Sequence, residues 1–152
     1  MSDLWRIMAL DHGLARIGVA LSDPLRMVAR PATVITHISR QADFVAIAEI
    51  ARAEDVARVV LGIPTSSTGG LTRQAVIVVQ WGSRLARFLD LPVVGWDESY
   101  TSVAAEGVGS RRKGARGPLD DVAAAVLLQD YLDSGGTNGE PGQPIQTFAS
   151  RA

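Results

Sequence analysis

The segment RIMALDHGLARIGVALSD, residues 6–23, constrains the fold more than any other part of the chain. An apolar run leads into Asp11, a short polar turn follows, and apolar residues then alternate with small ones. Because alternation with a period of two is typical of a β-strand, the segment predicts a hairpin. Asp11 then ends the first strand, beside a surface that Gly13, Gly18 and Ala20 leave almost free of side chains. Such a carboxylate suits a metal ion or a phosphate, although an aspartate here also commonly accepts hydrogen bonds from turn amides.

Two further acidic positions fall at the ends of predicted elements. A buried strand predicted at 93–96 is followed by an acidic pair that ends in Glu98. A helix predicted at 117–132 carries Asp120 and Asp121 in its first turn. Each position alone has a structural explanation, since loops are often acidic and the helix dipole favours a negative first turn. Together with the hairpin carboxylate they indicate a cluster for a divalent metal, because Mg²⁺ and Mn²⁺ prefer hard oxygen ligands.

Four motifs, taken in order, resemble the YqgF/RuvX family of small RNase H-like nucleases. They cover about 6–133 and read LDHGLARIGVALSDP, VVLGIPTSSTGG, VVGWDESYTSVAAE and LDDVAAAVLLQDYL. Members of this family are described as Holliday-junction resolvases or as nucleases that process pre-16S rRNA. The resemblance implies that Asp11, Glu98 and Asp120 are the catalytic residues and that they bind Mg²⁺ or Mn²⁺.

Three positions depart from the family pattern. His12 stands where the family usually has an aromatic residue, and Ser99 follows Glu98 where an arginine is usual. Two aspartates instead of one precede the Val-Ala-Ala run. Asp120 keeps the D-x-V-A-A spacing, so we assign the metal-binding role to Asp120 and expect Asp121 to stabilise the helix N-terminus.

The basic residues near the last helix form a candidate substrate-binding loop. The net charge of −1 is unusual for a nucleic-acid-binding protein, but residues 110–116 carry four positive charges and no acidic residue. This segment leads directly into the helix of Asp120, so its cations would clamp a phosphate backbone beside the carboxylates. A solvated connector is the alternative. The candidate substrate-binding residues are Arg111, Arg112, Lys113 and Arg116.

The polar loop PTSSTGG, residues 64–70, is a second candidate for phosphate contact. It precedes a predicted helix, and helix N-termini bind anions readily. The candidate residues are Thr65 and Ser66. The loop is not a Walker A motif, because no Gly-Lys-Ser/Thr follows it. Capping of the next helix explains the same residues equally well, and the two roles are compatible.

The remaining pattern predicts an α/β, RNase H-like fold. A third strand at 26–36 contains Pro31 and therefore lies at a sheet edge. An amphipathic helix follows at 40–54, a β-branched strand at 56–63 is central and parallel, and another helix covers about 71–90. With the strand at 93–96 and two further helices, three antiparallel strands precede α/β alternation in a mixed five-stranded sheet flanked by helices. The family resemblance implies the same fold.

Length and composition favour a single domain. The chain has 152 residues, of which 47% are hydrophobic, which is enough for one core. We expect a nuclease domain over 1–133. The segment 134–152 is rich in Gly, Pro, Ser and Thr, so it predicts a disordered tail.

Composition also predicts the cellular setting. The chain has no cysteine, which fits a reducing cytoplasm. No apolar stretch reaches membrane-spanning length, and the N-terminus lacks a basic-then-apolar signal pattern. We therefore expect a cytoplasmic protein without membrane contact, either a monomer or a homodimer.

The predicted activity is metal-dependent hydrolysis of phosphodiesters in structured RNA or branched DNA. Asp11 would bridge two divalent ions, and Glu98 and Asp120 would each complete one coordination sphere. One geometric problem arises, because the strand at 56–63 separates the strands of Asp11 and Glu98. Neighbouring strands lie about 4.8 Å apart, so Glu98 must reach across two spacings, which we expect only if its loop folds back over the sheet.

Two other functions fit parts of the pattern. A noncatalytic RNA-binding or ribosome assembly factor would retain the fold and even the acidic residues. More remotely, a D-x-G turn before a strand also occurs in actin/Hsp70-like ATPases. Those proteins need two such domains around a cleft, and this chain has room for one.

Overall fold

The computed structural model describes residues 3–65, 70–98, 118–135 and 143–145. The strands of these residues form one mixed sheet in the order β3-β2-β1-β4-β5-β6. They are β1 (Arg6–His12), β2 (Arg16–Ser22), β3 (Ala29–Thr36), β4 (Val56–Ile63), β5 (Val93–Asp97) and β6 (Gln143–Pro144). The helices are α1 (Arg40–Ala53), α2 (Arg73–Leu89) and α3 (Pro118–Asp133).

The strand directions confirm the predicted α/β architecture. The first three strands pair antiparallel, and β4 lies between β1 and β5 and is parallel to both. The third strand is at the sheet edge, as Pro31 predicted, because an edge strand has a neighbour on one side only. Pro31 pairs with Ala20 beside a register shift between Val19 and Ala20.

Each face of the sheet carries its own core. Met8, Leu10 and Leu61 pack on one side with residues of α1 and α2, whereas Ile7 and Ala9 pack on the other with residues of α3. Successive side chains of a strand point to opposite faces. Asp11 therefore lies on the α3 face, and His12 lies on the α1/α2 face.

Short polar residues begin the first two helices. The Ser39 hydroxyl accepts a hydrogen bond from the backbone N–H of Ala42, and the Thr72 hydroxyl accepts one from that of Ala75, both at 3.1 Å. The cap of α2 is thus Thr72 and not a residue of the PTSSTGG loop. No helix in the described ranges combines the length and apolarity needed to cross a membrane.

A short segment of the predicted tail belongs to the sheet. β6 pairs antiparallel with β5, and the Ile145 side chain is fully buried in the α1/α2 core. Ile145 packs at Gly82, where an added Cβ would lie 3.0 Å from Ile145 Cγ1. The expectation of disorder over 134–152 therefore does not describe residues 143–145, because one apolar residue among polar ones produces no periodicity in the sequence. Residues 136–142 and 146–152 lie outside the described part.

Candidate active site

Two carboxylates meet on the α3 face, at the carboxyl ends of the parallel strands. Asp11 is the penultimate residue of β1, and Glu98 follows β5 directly. Their side chains are hydrogen-bonded to each other. The Glu98 backbone N–H donates to the Ile63 carbonyl at 3.2 Å, so the backbone of Glu98 extends the pairing of β4 with β5.

A glycine in the central strand makes this meeting possible. An added Cβ at Gly62 would overlap Oε2 of Glu98 and lie 3.2 Å from Cδ2 of Leu127 in α3. The carboxylate of Glu98 therefore crosses β4 over a position without a side chain. The Glu98 side chain itself spans the gap, while its backbone stays in line with β5; the rest of the loop that we expected to fold back lies outside the described residues.

A second glycine brings α3 against the hairpin. Gly18 pairs with Asp11 in the sheet, and an added Cβ at Gly18 would overlap the backbone carbonyl of Asp120. The first turn of α3 thus rests directly on β2. The Asp120 carboxylate accepts a hydrogen bond from Arg16 Nε at 2.9 Å, an ion pair in which both side chains are about one-third exposed.

The electrostatics of the pair favour one shared proton. Burial raises the pKa of Asp11 to about 6, with a further increase from the charge of Asp120 and a decrease from the Glu98 hydrogen bond. Burial also raises the pKa of Glu98 to about 8, helped by the charge of Asp11, the hydrogen bond to Asp11 and the charge of Asp97. Two carboxyl groups in such proximity do not both ionise readily. Near neutral pH, Glu98 therefore donates its proton to an ionised Asp11.

The donor set suits a hard divalent cation. A positive ion would remove the repulsion between Asp11 and Glu98, and carboxylate oxygens are the ligands that Mg²⁺ and Mn²⁺ prefer. Among the residues that the structure describes, however, no three acidic or histidine side chains converge as a metal-binding group. The structure thus brings Asp11 and Glu98 together, whereas Asp120 lies beside this pair and forms an ion pair with Arg16.

Of the predicted substrate-binding residues, the structure describes Thr65. Thr65 Oγ1 donates a hydrogen bond to Asp97 Oδ1 at 2.8 Å, and Thr65 forms an isolated β-bridge with Leu71. Thr65 therefore ties the loop after β4 to the end of β5, next to Glu98. Ser66 lies outside the described residues, as do Arg111, Arg112, Lys113 and Arg116.

His12 is separated from the carboxylates by the sheet. Its ring lies on Trp81 of α2, with ring centroids 4.5 Å apart. Burial lowers the pKa of His12, and the nearby His37 lowers it further. Its buried Nδ1 has no hydrogen-bond partner within the described ranges. The neutral ring thus belongs to the α1/α2 side and not to the acidic pair.

Sequence reasoning missed three residues that shape the site. Gly62 was available from the pattern, because a glycine inside a strand commonly marks a close approach of another group. The sequence marks Gly18 as a small residue but does not indicate the helix that packs on it. For Arg16 no local pattern predicts a partner 104 positions further along the chain.

The mixed sheet, the helices on both of its faces and the acidic pair define an RNase H-like α/β protein. The structure of Thermus thermophilus RuvC in complex with a Holliday junction substrate superimposes with a TM-score of 0.59 at 13% identity, covering 92% of this chain and 99% of that chain. A second Thermus thermophilus RuvC structure gives a TM-score of 0.57 at 12% identity and covers 91% of this chain and 99% of its own. At such identities the likeness shows the fold alone.

Sequence comparison identifies the family. The RuvX model, described as Holliday junction resolvase, matches residues 5–134, and the chain belongs to this family. A protein of Moorella thermoacetica named "Putative pre-16S rRNA nuclease" is 42% identical over 139 residues, covering 88% of this chain and 99% of its own length. A protein of the same name from Roseiflexus sp. (strain RS-1) is 40% identical over 137 residues, covering 88% of this chain and 97% of its own length.

Proposed function

We propose that this protein is a metal-dependent endonuclease that hydrolyses phosphodiester bonds in structured nucleic acid. The observation that carries the proposal is the pair Asp11 and Glu98, hydrogen-bonded across Gly62 where β1 and β5 end. Membership in the RuvX family supports the reaction class. The names of the relatives favour pre-16S rRNA as substrate, and we propose its 5′ end as the processed part; the family description favours a Holliday junction. We expect the protein to act in the cytoplasm.

In this proposal the acidic pair holds Mg²⁺ or Mn²⁺. When bound, such an ion supplies Lewis-acid stabilisation of the attacking and leaving oxygens. Asp11 and Glu98 bind through hard oxygens, and Glu98 must first give up the proton that it shares with Asp11. Binding therefore releases a proton and tightens as the pH rises.

Asp120 is the third acidic residue of the proposed site. Its charge already acts on Asp11, and Gly18 fixes the backbone of its helix turn against β2. Its carboxylate is held by Arg16 at 2.9 Å, so this carboxylate is oriented at the rim of the pair. A direct metal contact by Asp120 stays a prediction.

The basic loop supplies the substrate contacts in this proposal. Arg111, Arg112, Lys113 and Arg116 precede α3, whose first turn contacts the hairpin. Cations at this place would hold a phosphate backbone and release its counterions. Thr65 supports the end of β5 beside Glu98 through its bond to Asp97.

The test is cleavage of two substrates in parallel. A precursor RNA that contains the 5′ end of 16S rRNA and a four-way DNA junction are incubated with Mn²⁺ or with EDTA. The wild type should cleave at least one of them with Mn²⁺ only, and Asp11→Asn and Glu98→Gln should each lose this cleavage. The matched control is Asp90→Asn, because Asp90 is an exposed left-handed residue at the C-terminus of α2 and asparagine tolerates that conformation.

The outcomes separate the alternatives. Loss of cleavage in Asp11→Asn with full activity in Asp90→Asn would support the proposal and identify the substrate. A wild type that binds RNA but cleaves neither substrate would contradict it and favour the noncatalytic assembly factor.

A further inference from the structure

We propose that Arg16 contacts the scissile phosphate of the substrate and at the same time positions Asp120. This inference rests on the proposed nuclease function, and it adds a residue of the hairpin to the predicted acidic site.

The fold places Arg16 at the rim of the acidic site. Arg16 opens β2 and shares the α3 face with Gly18 and Ala20, because residues two apart in a strand lie on one side. Its carbonyl accepts a hydrogen bond from the Gly13 N–H at 2.9 Å. An added Cβ at Gly13 would lie 2.7 Å from that same carbonyl oxygen. The turn glycine therefore fixes the backbone from which the Arg16 side chain extends.

The contact with Asp120 leaves most of the guanidinium for another anion. Arg16 binds Asp120 through Nε, and a guanidinium has five N–H donors in a planar arrangement. Within the described ranges, no hydrogen bond joins the terminal nitrogens of Arg16 to the protein. The side chain is 34% exposed, so an extended polymer can reach it. Two parallel N–H donors match two oxygens of a phosphate.

The charge balance of the site calls for such a cation. The ionised carboxylates of Asp11 and Asp120 repel a phosphodiester that approaches them. Arg16 supplies a positive charge where the first turn of α3 meets the hairpin, directly against the third carboxylate. A partly exposed ion pair contributes little to folding, so structural stability alone is a weak reason for this arrangement.

The test compares Arg16→Gln and Arg16→Lys with a matched control. Arg30→Gln removes the same charge from an exposed residue of β3, at the other end of the strand pair from Arg16. Binding of a fluorescein-labelled four-way DNA junction is measured by anisotropy in EDTA over a range of NaCl concentrations. Cleavage is measured with Mn²⁺, and thermal melts verify that each variant is folded.

Loss of one phosphate contact should change the binding affinity and its salt dependence by amounts that can be stated in advance. Arg16→Gln should weaken junction binding about 10- to 100-fold, as for a charged hydrogen bond, and lower the salt slope by about 0.9. Arg16→Lys should restore the salt slope but not kcat, because lysine lacks the planar fork that engages Asp120 and phosphate together. Arg30→Gln should match the wild type in both measurements.

Three outcomes would overturn the inference in distinguishable ways. If Arg16→Gln binds with the wild-type affinity and salt slope, Arg16 does not contact phosphate. If it binds normally but loses kcat, and Asp120→Asn adds no further loss, Arg16 acts only through Asp120. If the wild type neither binds nor cleaves the junction or the precursor RNA, the proposed function fails and this inference fails with it.

Discussion

At the scale of single residues, the space above Gly62 determines whether the acidic pair exists. The side chain of Glu98 crosses β4 there, and Leu127 closes the position from α3. The overlapping atom is the far end of a flexible glutamate, so a methyl group at this position would displace Glu98 at modest cost to the fold. A substitution at Gly62 can therefore disrupt the acidic pair without unfolding the domain.

Gly62→Ala should accordingly abolish Mn²⁺-dependent cleavage while lowering the free energy of unfolding by only about 1 kcal/mol. The physical reason is the displaced Glu98, so the same substitution in a Glu98→Ala background should cost less stability. Urea denaturation of the four proteins in this cycle, with a cleavage assay beside it, measures both effects. Equal costs in the two backgrounds would show that Leu127, and not Glu98, opposes the methyl group.

The shared proton predicts an unusual dependence of stability on pH. The folded pKa values of Asp11 and Glu98, about 6 and about 8, lie above their ordinary values of 3.8 and 4.5. The folded state therefore keeps protons that the unfolded chain releases, so its stability is full below about pH 4 and is lost as the pH rises to about 8. In EDTA, the free energy of unfolding of the wild type should fall by at least about 1 kcal/mol between pH 5 and pH 8 from this pair.

Glu98→Gln removes the group with the larger shift and should flatten this dependence. Urea titrations at pH 5, 6.5 and 8 provide the comparison, and Asp90→Asn again controls for the loss of one exposed acid. Saturating Mn²⁺ should restore the stability of the wild type at pH 8, because a cation bound only by the folded state stabilises it. A wild type whose stability in EDTA rises from pH 5 to pH 8 would contradict the raised pKa values.

At the scale of the elements, the periodic segments were predictable and the close approaches were not. The alternation in the hairpin and the β-branched run of β4 predicted strands that the structure contains, and Pro31 predicted the edge. These patterns depend on which residues are buried, and the spacing of apolar residues in a single sequence indicates this burial. The bond from Arg16 to Asp120 depends on how two distant elements meet, and the sequence contains no local trace of it.

The first turn of α3 provides the next prediction, because two adjacent aspartates there have different surroundings. Neighbours on a helix point about 100° apart. Asp120 acts on Asp11 and pairs with Arg16. Asp120→Asn should therefore abolish metal-dependent cleavage with little loss of fold. Asp121→Asn should keep most of the activity and lose about 0.3–1 kcal/mol from the helix N-terminus. Cleavage rates and thermal melts of both variants decide which aspartate binds the metal ion. The reverse pattern would assign this role to Asp121.

At the scale of the whole molecule, the sheet separates the chemistry from most of the core. The acidic pair and α3 lie on one face, whereas His12, α1 and α2 lie on the other. The segment 143–145 extends the sheet beyond β5 and places Ile145 in the α1/α2 core, away from the carboxylates. Stability contributed by this segment should therefore be separable from metal binding.

Ile145→Ala tests that separation. Ile145 is fully buried against Gly82, so its truncation should lower the free energy of unfolding by about 2–4 kcal/mol through lost burial and a residual cavity. Ile38→Ala is the matched control, because Ile38 is 80% exposed and its truncation should change stability by less than about 0.5 kcal/mol. Below its melting temperature, Ile145→Ala should still gain stability from Mn²⁺ as the wild type does. Urea denaturation with EDTA and with Mn²⁺ measures both quantities. If the variant is as stable as the wild type, residues 143–145 do not contribute to the core. If the variant loses its response to Mn²⁺, the two faces of the sheet are coupled.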